Sequence, residues 1–361
     1  MKNLKIINNF IFVIIFIIFV NITKNKYILK KKKIGVIGLE HSQNVGNNLL
    51  KFAMFIKLSE LGYDPYIVGK QYLNHNISFI SKTINIKLIN NFSEIKENDF
   101  DILMVNSDQT WKKYSSDFYD IALLRFAEKW KTPKFIYGAS LGYESWKFNK
   151  KEENIAKYLL KKFSGFSVRE ISSVKLIEKN LGFKTQFVLD PTLLIDKKYY
   201  LNLINDYTSE IIYPTNNNSF ILTYIISNPN RIRKYLSYIK KKLNIKIINI
   251  NINTKNQVKE FLYGIIHSKA ILTDSYHGTL FSIIFNKPFI SFTKNGLNES
   301  RFNSLDKIFN IRNRIFKFYS FPPISLLNLP LIINDTKLMI LKRESINYLK
   351  KNLAFNDKFI V

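Results

Sequence analysis

The residues of this chain best suited to chemistry sit where short apolar runs end. Ser275-Tyr276-His277-Gly278 follows the apolar run 270–273 and precedes a helical pattern over 279–285, with a second apolar run at 288–292. That order predicts a βαβ unit, with 274–278 as a tight polar turn. At such a junction backbone N–H groups and the helix dipole favour anions, and an imidazole can add positive charge or shuttle a proton near neutral pH. A histidine that merely packs a turn fits the same residues.

Three other junctions carry polar residues of the same kind. The run 34–37 leads into a loop over 38–46 that holds Asn44, Gly46 and Asn47; it precedes a helix, as phosphate loops do, but lacks both the Walker and the dinucleotide spacing. The run 101–105 leads into Asn106-Ser107-Asp108-Gln109-Thr110-Trp111, hydrogen-bonding residues of the type found at the lip of a cleft, or alternatively an Asx turn. The short run 166–168 ends in Arg169-Glu170. An arginine there can grip phosphate or carboxylate with two N–H groups, or form a structural salt bridge with Glu170 or Asp190.

The elements that must position these residues alternate. Strands are expected at 34–37, 65–68, 101–105, 134–137, 166–168 and 187–189, and helices at 47–61, 152–162 and 171–180. After a polar, Asn-rich stretch ending near 219, a second series follows: strands at 220–226 and 246–250, helices at 231–243 and 257–267, the βαβ unit, and helices at 300–309 and 335–353. Two successive α/β halves, 33–195 and 196–361, imply two parallel sheets facing across a cleft, with ligands at the carboxyl ends of the strands.

Composition narrows the chemistry. The 361 residues contain no cysteine, which removes disulfides, thiolate catalysis and Cys-rich zinc sites. The four histidines, His41, His75, His267 and His277, are scattered, so no metal site is expected. A net charge of +28 favours anionic partners. Its lysines are spread along the chain without an arginine-rich run or a nucleic-acid module, and no nucleic-acid partner is expected.

Residues 1–32 differ from the rest. The apolar run 10–20 is a marginal membrane span, followed by Lys24, Lys26 and Lys30 to Lys33 against only Lys2 and Lys5 before it. The positive-inside rule then leaves the main body in the cytoplasm, single-pass anchored or lying on the membrane.

Taken in order, Asn44-x-Gly46-Asn47, Asn106-Ser107-Asp108-Gln109-x-Trp111, Tyr137-x-Ala139-Ser140-x-Gly142, Val168-Arg169-Glu170, Leu189-Asp190-Pro191-Thr192, Glu260-Phe261-Leu262 and Thr273-Asp274-Ser275-Tyr276-His277-Gly278-Thr279-x-Phe281-Ser282 resemble the polysaccharide pyruvyl transferase family. The resemblance implies a GT-B-like α/β fold of two Rossmann-type domains, preceded here by the extra hydrophobic helix. It also implies transfer of pyruvate, as a ketal, from phosphoenolpyruvate to a sugar of a cell-surface glycan or its lipid-linked precursor. No cofactor is implied beyond phosphoenolpyruvate as co-substrate. Two departures stand out: Asn106 occupies a position usually held by glycine, and Ser275 one that some branches fill with arginine.

On that reading Arg169, Ser275, Tyr276, His277, Gly278, Thr279 and Arg301 bind the donor. Asn44, Gly46, Asn47, Ser107, Asp108 and Gln109 face the acceptor, while His277 with Asp108 or Glu170 moves the protons. Two rivals share the architecture: a glycosyltransferase using a nucleotide sugar, and a non-catalytic glycan-binding protein.

Overall fold

The computed structural model describes residues 30–38, 44–70, 84–112, 118–208, 213, 220–250, 256–293 and 299–354. The expected hydrophobic N-terminal helix falls outside these residues, as do His41 and His75. Among the described residues no helix is long and apolar enough to cross a membrane.

Seven parallel strands form the first sheet: β1 (Lys33–Ile37), β2 (Asp64–Lys70), β3 (Ile86–Ile89), β4 (Ile102–Val105), β5 (Lys134–Ala139), β6 (Gly165–Val168) and β7 (Thr185–Phe187). Their order is β3-β2-β1-β4-β5-β6-β7. Every position of β4 and β5 is buried, as expected of parallel strands covered on both faces. The covering helices are α1 (Val45–Glu60), α2 (Phe118–Leu123), α3 (Lys150–Leu160), α4 (Ile171–Leu181) and α5 (Lys197–Asn202).

Five parallel strands form the second sheet: β8 (Phe220–Tyr224), β9 (Lys246–Asn249), β10 (Ala270–Thr273), β11 (Phe289–Thr293) and β12 (Ile315–Lys317), in the order β12-β11-β10-β8-β9. Its helices are α6 (Arg233–Leu243), α7 (Gln257–His267), α8 (Tyr276–Ile284) and α9 (Glu299–Phe309), and α10 (Asp335–Ala354) ends the described chain. Strand order reverses between β1 and β4 in the first sheet and between β8 and β10 in the second. Such switch points open crevices at the strands' carboxyl ends.

Several elements depart from the periodicity. β3, β12 and α2 are short and carry no clear pattern. β7 ends two residues before the apolar run 187–189 does, because the N–H of Leu189 donates to Ser345 Oγ (2.9 Å) instead of to a neighbouring strand. That bond belongs to a larger crossing. Although α10 ends the second half of the sequence, it packs on the first sheet: Tyr348 Oη donates to the carbonyl of Ile136 (2.8 Å), and a Cβ added at Gly165 would lie 2.4 Å from Asn352 Oδ1. The two sheets also share one apolar cluster, in which the Tyr200 ring of α5 is tilted against Phe52 of α1 and edge-on to Phe281 of α8 at 6.1 and 4.9 Å. Burial of that seam holds the two crevices in a fixed relation.

Candidate active site

Four strand-to-helix junctions converge. After β1, Asn44 caps α1: its Oδ1 accepts from the N–H groups of Gly46 (2.9 Å) and Asn47 (3.3 Å). This frees the Asn47 side chain to turn sideways, and its Nδ2 donates to Asp108 Oδ2 (2.9 Å) after β4. After β6, Arg169 donates through Nη2 to Asp108 Oδ1 (2.8 Å) and through Nη1 to Asp190 Oδ2 (2.6 Å). From the second sheet, His277 in the first turn of α8 brings Nε2 to 3.7 Å from the same Asp190 oxygen, within ion-pair range but too far for a hydrogen bond. Asp190 therefore stands between Arg169 of one sheet and His277 of the other.

Charge at this centre is tightly balanced. Burial opposes ionisation of Asp108, but the Arg169 charge, followed by His277, Arg301 and the Asn47 bond, outweighs it and holds the carboxyl at about 2. Asp190 is buried too and is driven lower still, by His277 and Arg169. Burial works against the Arg169 cation, yet Asp108 and Asp190 raise its pKa above the ordinary arginine value. The Tyr276 ring lies under both Arg169 (4.7 Å) and Arg301 (5.4 Å), and burial, with Asp190 nearby, pushes its hydroxyl far above the usual range, so it is a neutral phenol.

Arg301, in the first turn of α9, forms no ion pair with a carboxylate among the described residues. It is only 9% exposed, and its Nε has no hydrogen-bond partner among the described residues. Burial, then repulsion from Arg169, lowers its pKa, with Asp108 and Glu170 compensating in part. Lys112 lies near enough that its own pKa is lowered, first by burial and then by Arg301. Nothing in the local pattern singled out Lys112, one of many lysines. The hydroxyls of Ser140 and Ser300 and Nε1 of Trp111 are buried and likewise lack partners. Buried polar atoms without partners normally await water or ligand.

Most of the other residues expected at the site take up structural work. The segment 274–278 is not a turn: Ser275 is the N-cap of α8, its Oγ accepting from Gly278 N (3.2 Å), and Tyr276 to Gly278 form the first helical turn. Gly278 is required by close approach, since a Cβ there would lie 2.3 Å from Thr273 Oγ1. Thr279 is fully buried, bonded to Ser275 O (3.1 Å) and Ser291 Oγ (2.6 Å). The first intrahelical bond runs from Thr279 N to Ser275 O, leaving the N–H groups of Tyr276 and His277 outside the ladder.

On the first sheet, Ser107 Oγ donates to Gly138 O (2.7 Å), and Gln109 lies against Gly142, whose added Cβ would come 2.7 Å from its Nε2. Glu170 is fully buried; its Oε2 accepts from Leu141 N (3.0 Å) and Ser173 Oγ (3.1 Å), while Oε1 has no hydrogen bond and lies 4.0 Å from Arg169 Nε. Asn106, at the position usually held by glycine, does not have positive φ. The left-handed residue is Asp108, with φ of 89°. It is held there by its carbonyl, which accepts from Thr110 N (2.7 Å) and Ser140 N (2.9 Å), and by Gln109 N bonding its Oδ1 (2.8 Å). A non-glycine residue so placed stores strain at the centre of the site.

Among solved structures the fold is similar to that of the UDP-GlcNAc 2-epimerase from Neisseria meningitidis bound to UDP-GlcNAc, with a TM-score of 0.54 and 11% identity over 90% of this chain and 100% of that one. A glycosyltransferase from Rickettsia africae gives a TM-score of 0.52 and 12% identity over 91% and 100% of the two chains. At these identities the likeness is one of fold, a GT-B-type pair of Rossmann-like units. A search among curated proteins finds no match. The polysaccharide pyruvyl transferase family model matches residues 44–295, a span that takes in Asn47, Asp108, Arg169, Asp190 and His277. The chain belongs to the polysaccharide pyruvyl transferase family.

Proposed function

We propose that this protein transfers pyruvate from phosphoenolpyruvate to two hydroxyls of a sugar in a surface polysaccharide or its lipid-linked precursor, at the cytoplasmic face of the membrane. The observation that carries this reading is Arg301: a buried guanidinium, with no pairing carboxylate among the described residues, over the Tyr276 ring in the first turn of α8. Phosphoenolpyruvate brings two anionic groups. The N–H groups of Tyr276 and His277, with the imidazole, suit its phosphate, and Arg301 suits its carboxylate. Arg169 is spent on Asp108 and Asp190, so its part is to fix those two carboxylates.

The reaction requires a proton on the methylene carbon, which becomes the methyl group, and attack of one sugar hydroxyl on C2. The C2–O bond to phosphate then breaks, and the second hydroxyl closes the ketal. Two hydroxyl protons leave; one balances the methyl group and the other the phosphate. His277, with Nε2 3.7 Å from Asp190, is the residue we assign to pass a proton in this exchange. Asp108, held at about 2 with both oxygens already bonded, is a weak base and serves to orient. Of the carboxylates, Glu170 keeps one oxygen without a hydrogen bond, which favours it as acceptor of the sugar proton.

A second reading, glycosyl transfer from a nucleotide sugar, draws on the structural neighbour that holds UDP-GlcNAc. Thermal-shift titration separates the two, because a ligand bound only by the folded state raises the melting temperature by mass action. Stabilisation by phosphoenolpyruvate, absent in His277→Ala, is expected. A response to UDP-sugars with none to phosphoenolpyruvate would replace this reading with the second.

A further inference from the structure

The second sheet carries a face that the reaction does not use. Between Glu210 and Glu260 the chain has no acidic residue and nine basic ones: Arg231, Arg233, Lys234, Lys240, Lys241, Lys242, Lys246, Lys255 and Lys259. Five of them lie on α6, the crossover to the edge strand β9. Among the described residues none of Arg233, Lys234, Lys240, Lys241 and Lys242 is paired with a carboxylate, and all five are exposed. In helical register Lys234, Tyr238, Lys241 and Lys242 share one side of α6.

Aromatic side chains rise beside these lysines. Tyr238 is 39% exposed and its ring lies 5.8 Å from that of Phe321, itself 56% exposed. Beneath them the buried Tyr235 ties helix to loop: its Oη donates to the carbonyl of Pro322 (3.0 Å) and its ring meets Phe321 at 6.0 Å. Tyr319, two residues before Phe321, is 73% exposed and holds a left-handed φ of 67°. Two outward rings held by Tyr235, a third two residues away along the chain, and lysines with no carboxylate partner among the described residues run against the usual surface rule, by which large aromatics are covered and charges mixed in sign. The combination suits one environment well. At a bilayer's edge aromatic rings settle at headgroup level, and lysines are drawn to anionic lipid.

We infer that the α6 face, with Tyr319 and Phe321, is a docking surface for an anionic lipid bilayer, with the three rings entering the headgroup layer and Lys234, Lys241 and Lys242 pairing with its charge. None of these residues belongs to the site around His277. Helix α3 provides the internal contrast: it too exposes a tyrosine, Tyr158, among lysines, but carries Glu152 and Glu153, and Tyr158 Oη is bonded to Glu128 (2.6 Å).

The absence of cysteine makes the test direct. Phe321→Cys in the full chain takes a single environment-sensitive fluorophore, and Tyr158→Cys provides the matched control. With vesicles containing phosphatidylglycerol, the label at 321 is expected to shift to the blue and brighten several-fold, while the label at 158 stays unchanged. Pure phosphatidylcholine vesicles should give no such response, and 1 M salt, where the screening length is about 3 Å, should suppress it. Lys234→Gln/Lys241→Gln/Lys242→Gln, all surface changes, should weaken vesicle partitioning on the order of a hundredfold, at about 1 kcal/mol per lysine. Equal responses at 321 and 158, or an unchanged response in the triple variant, would overturn the assignment. So would binding of a soluble anionic polysaccharide at 321 without any response to vesicles, which would make the face a polyanion site.

Discussion

Gly46 and His277 touch: a Cβ built on Gly46 would lie 2.0 Å from the imidazole Nδ1 and 2.3 Å from Cγ. One belongs to the helix after β1 and the other to the helix after β10, so the first turn of α1 and the second sheet's histidine are in direct van der Waals contact. Because Cβ of His277 is also within 2.6 Å of that position, rotating the ring cannot clear the space. Gly46→Ala is therefore expected to displace α8 or part the two halves at this point, at about 1–3 kcal/mol of stability, and to lower turnover at least tenfold. Turnover and melting temperature, measured together, check it; wild-type turnover would mean that the contact is not needed.

Asp190 holds the centre together by facing both Arg169 and His277. Asp190→Asn leaves a fully buried guanidinium with one partner instead of two, and breaking such a pair costs about 3–5 kcal/mol. The variant is expected to melt well below wild type and to lose most activity even where it remains folded. A melting temperature within a degree or two of wild type would contradict the ion-pair geometry.

Removal of Arg301 should act the opposite way. The ligand-free protein keeps this cation buried against its ordinary preference, since burial and Arg169 both lower its pKa. Replacing an under-compensated buried charge with an apolar group of similar length is often neutral or stabilising. Arg301→Met is expected to melt no lower than wild type and to lose its stabilisation by phosphoenolpyruvate. Lys112→Met, which removes the neighbouring cation, is expected to weaken donor binding less, since Lys112 is only partly buried.

The pH dependence of stability follows from Asp108 and Asp190, both held below the ordinary carboxylate range. A carboxyl with a depressed folded-state pKa contributes stability that is complete above the unfolded value near 3.9 and is lost as pH falls toward the folded value, about 2 for Asp108. Unfolding free energy should therefore fall between about pH 4 and 2 with these groups contributing. In Asp108→Asn that slope should be shallower by one proton, about 1.4 kcal/mol per pH unit. Denaturant titrations across this window check it.

The fold was legible because its strands are short apolar runs and its helices carry apolar stripes: α7 spans Gln257–His267, as the periodicity predicts, and α9 begins one residue early, at Glu299. Local misreadings came from glycine and serine. Gly278 suggested a turn, whereas it lies inside a helix because Thr273 leaves no room for a side chain, and Ser275 was the cap that announced the helix. Candidate site residues were visible as polar ends of strands, but their division of labour was not. The salt bridge of Arg169 with Asp190 was one of the readings its sequence offered, whereas its second bond, to Asp108 61 residues away, depends on strand order, which no local pattern records. Asp190 as the partner of His277 and Lys112 as the neighbour of Arg301 emerge only when the two sheets meet.

The most direct test of the account supplies the purified full chain with envelope lipid and glycan extract, phosphoenolpyruvate labelled with carbon-14 in its pyruvate carbons, and a tritium-labelled UDP-sugar. Pyruvyl transfer predicts carbon-14 in the glycan fraction, released as pyruvate by mild acid and matched by an equal amount of inorganic phosphate, with none from His277→Ala. Tritium incorporation with phosphoenolpyruvate left intact would contradict the account and make the protein a glycosyltransferase.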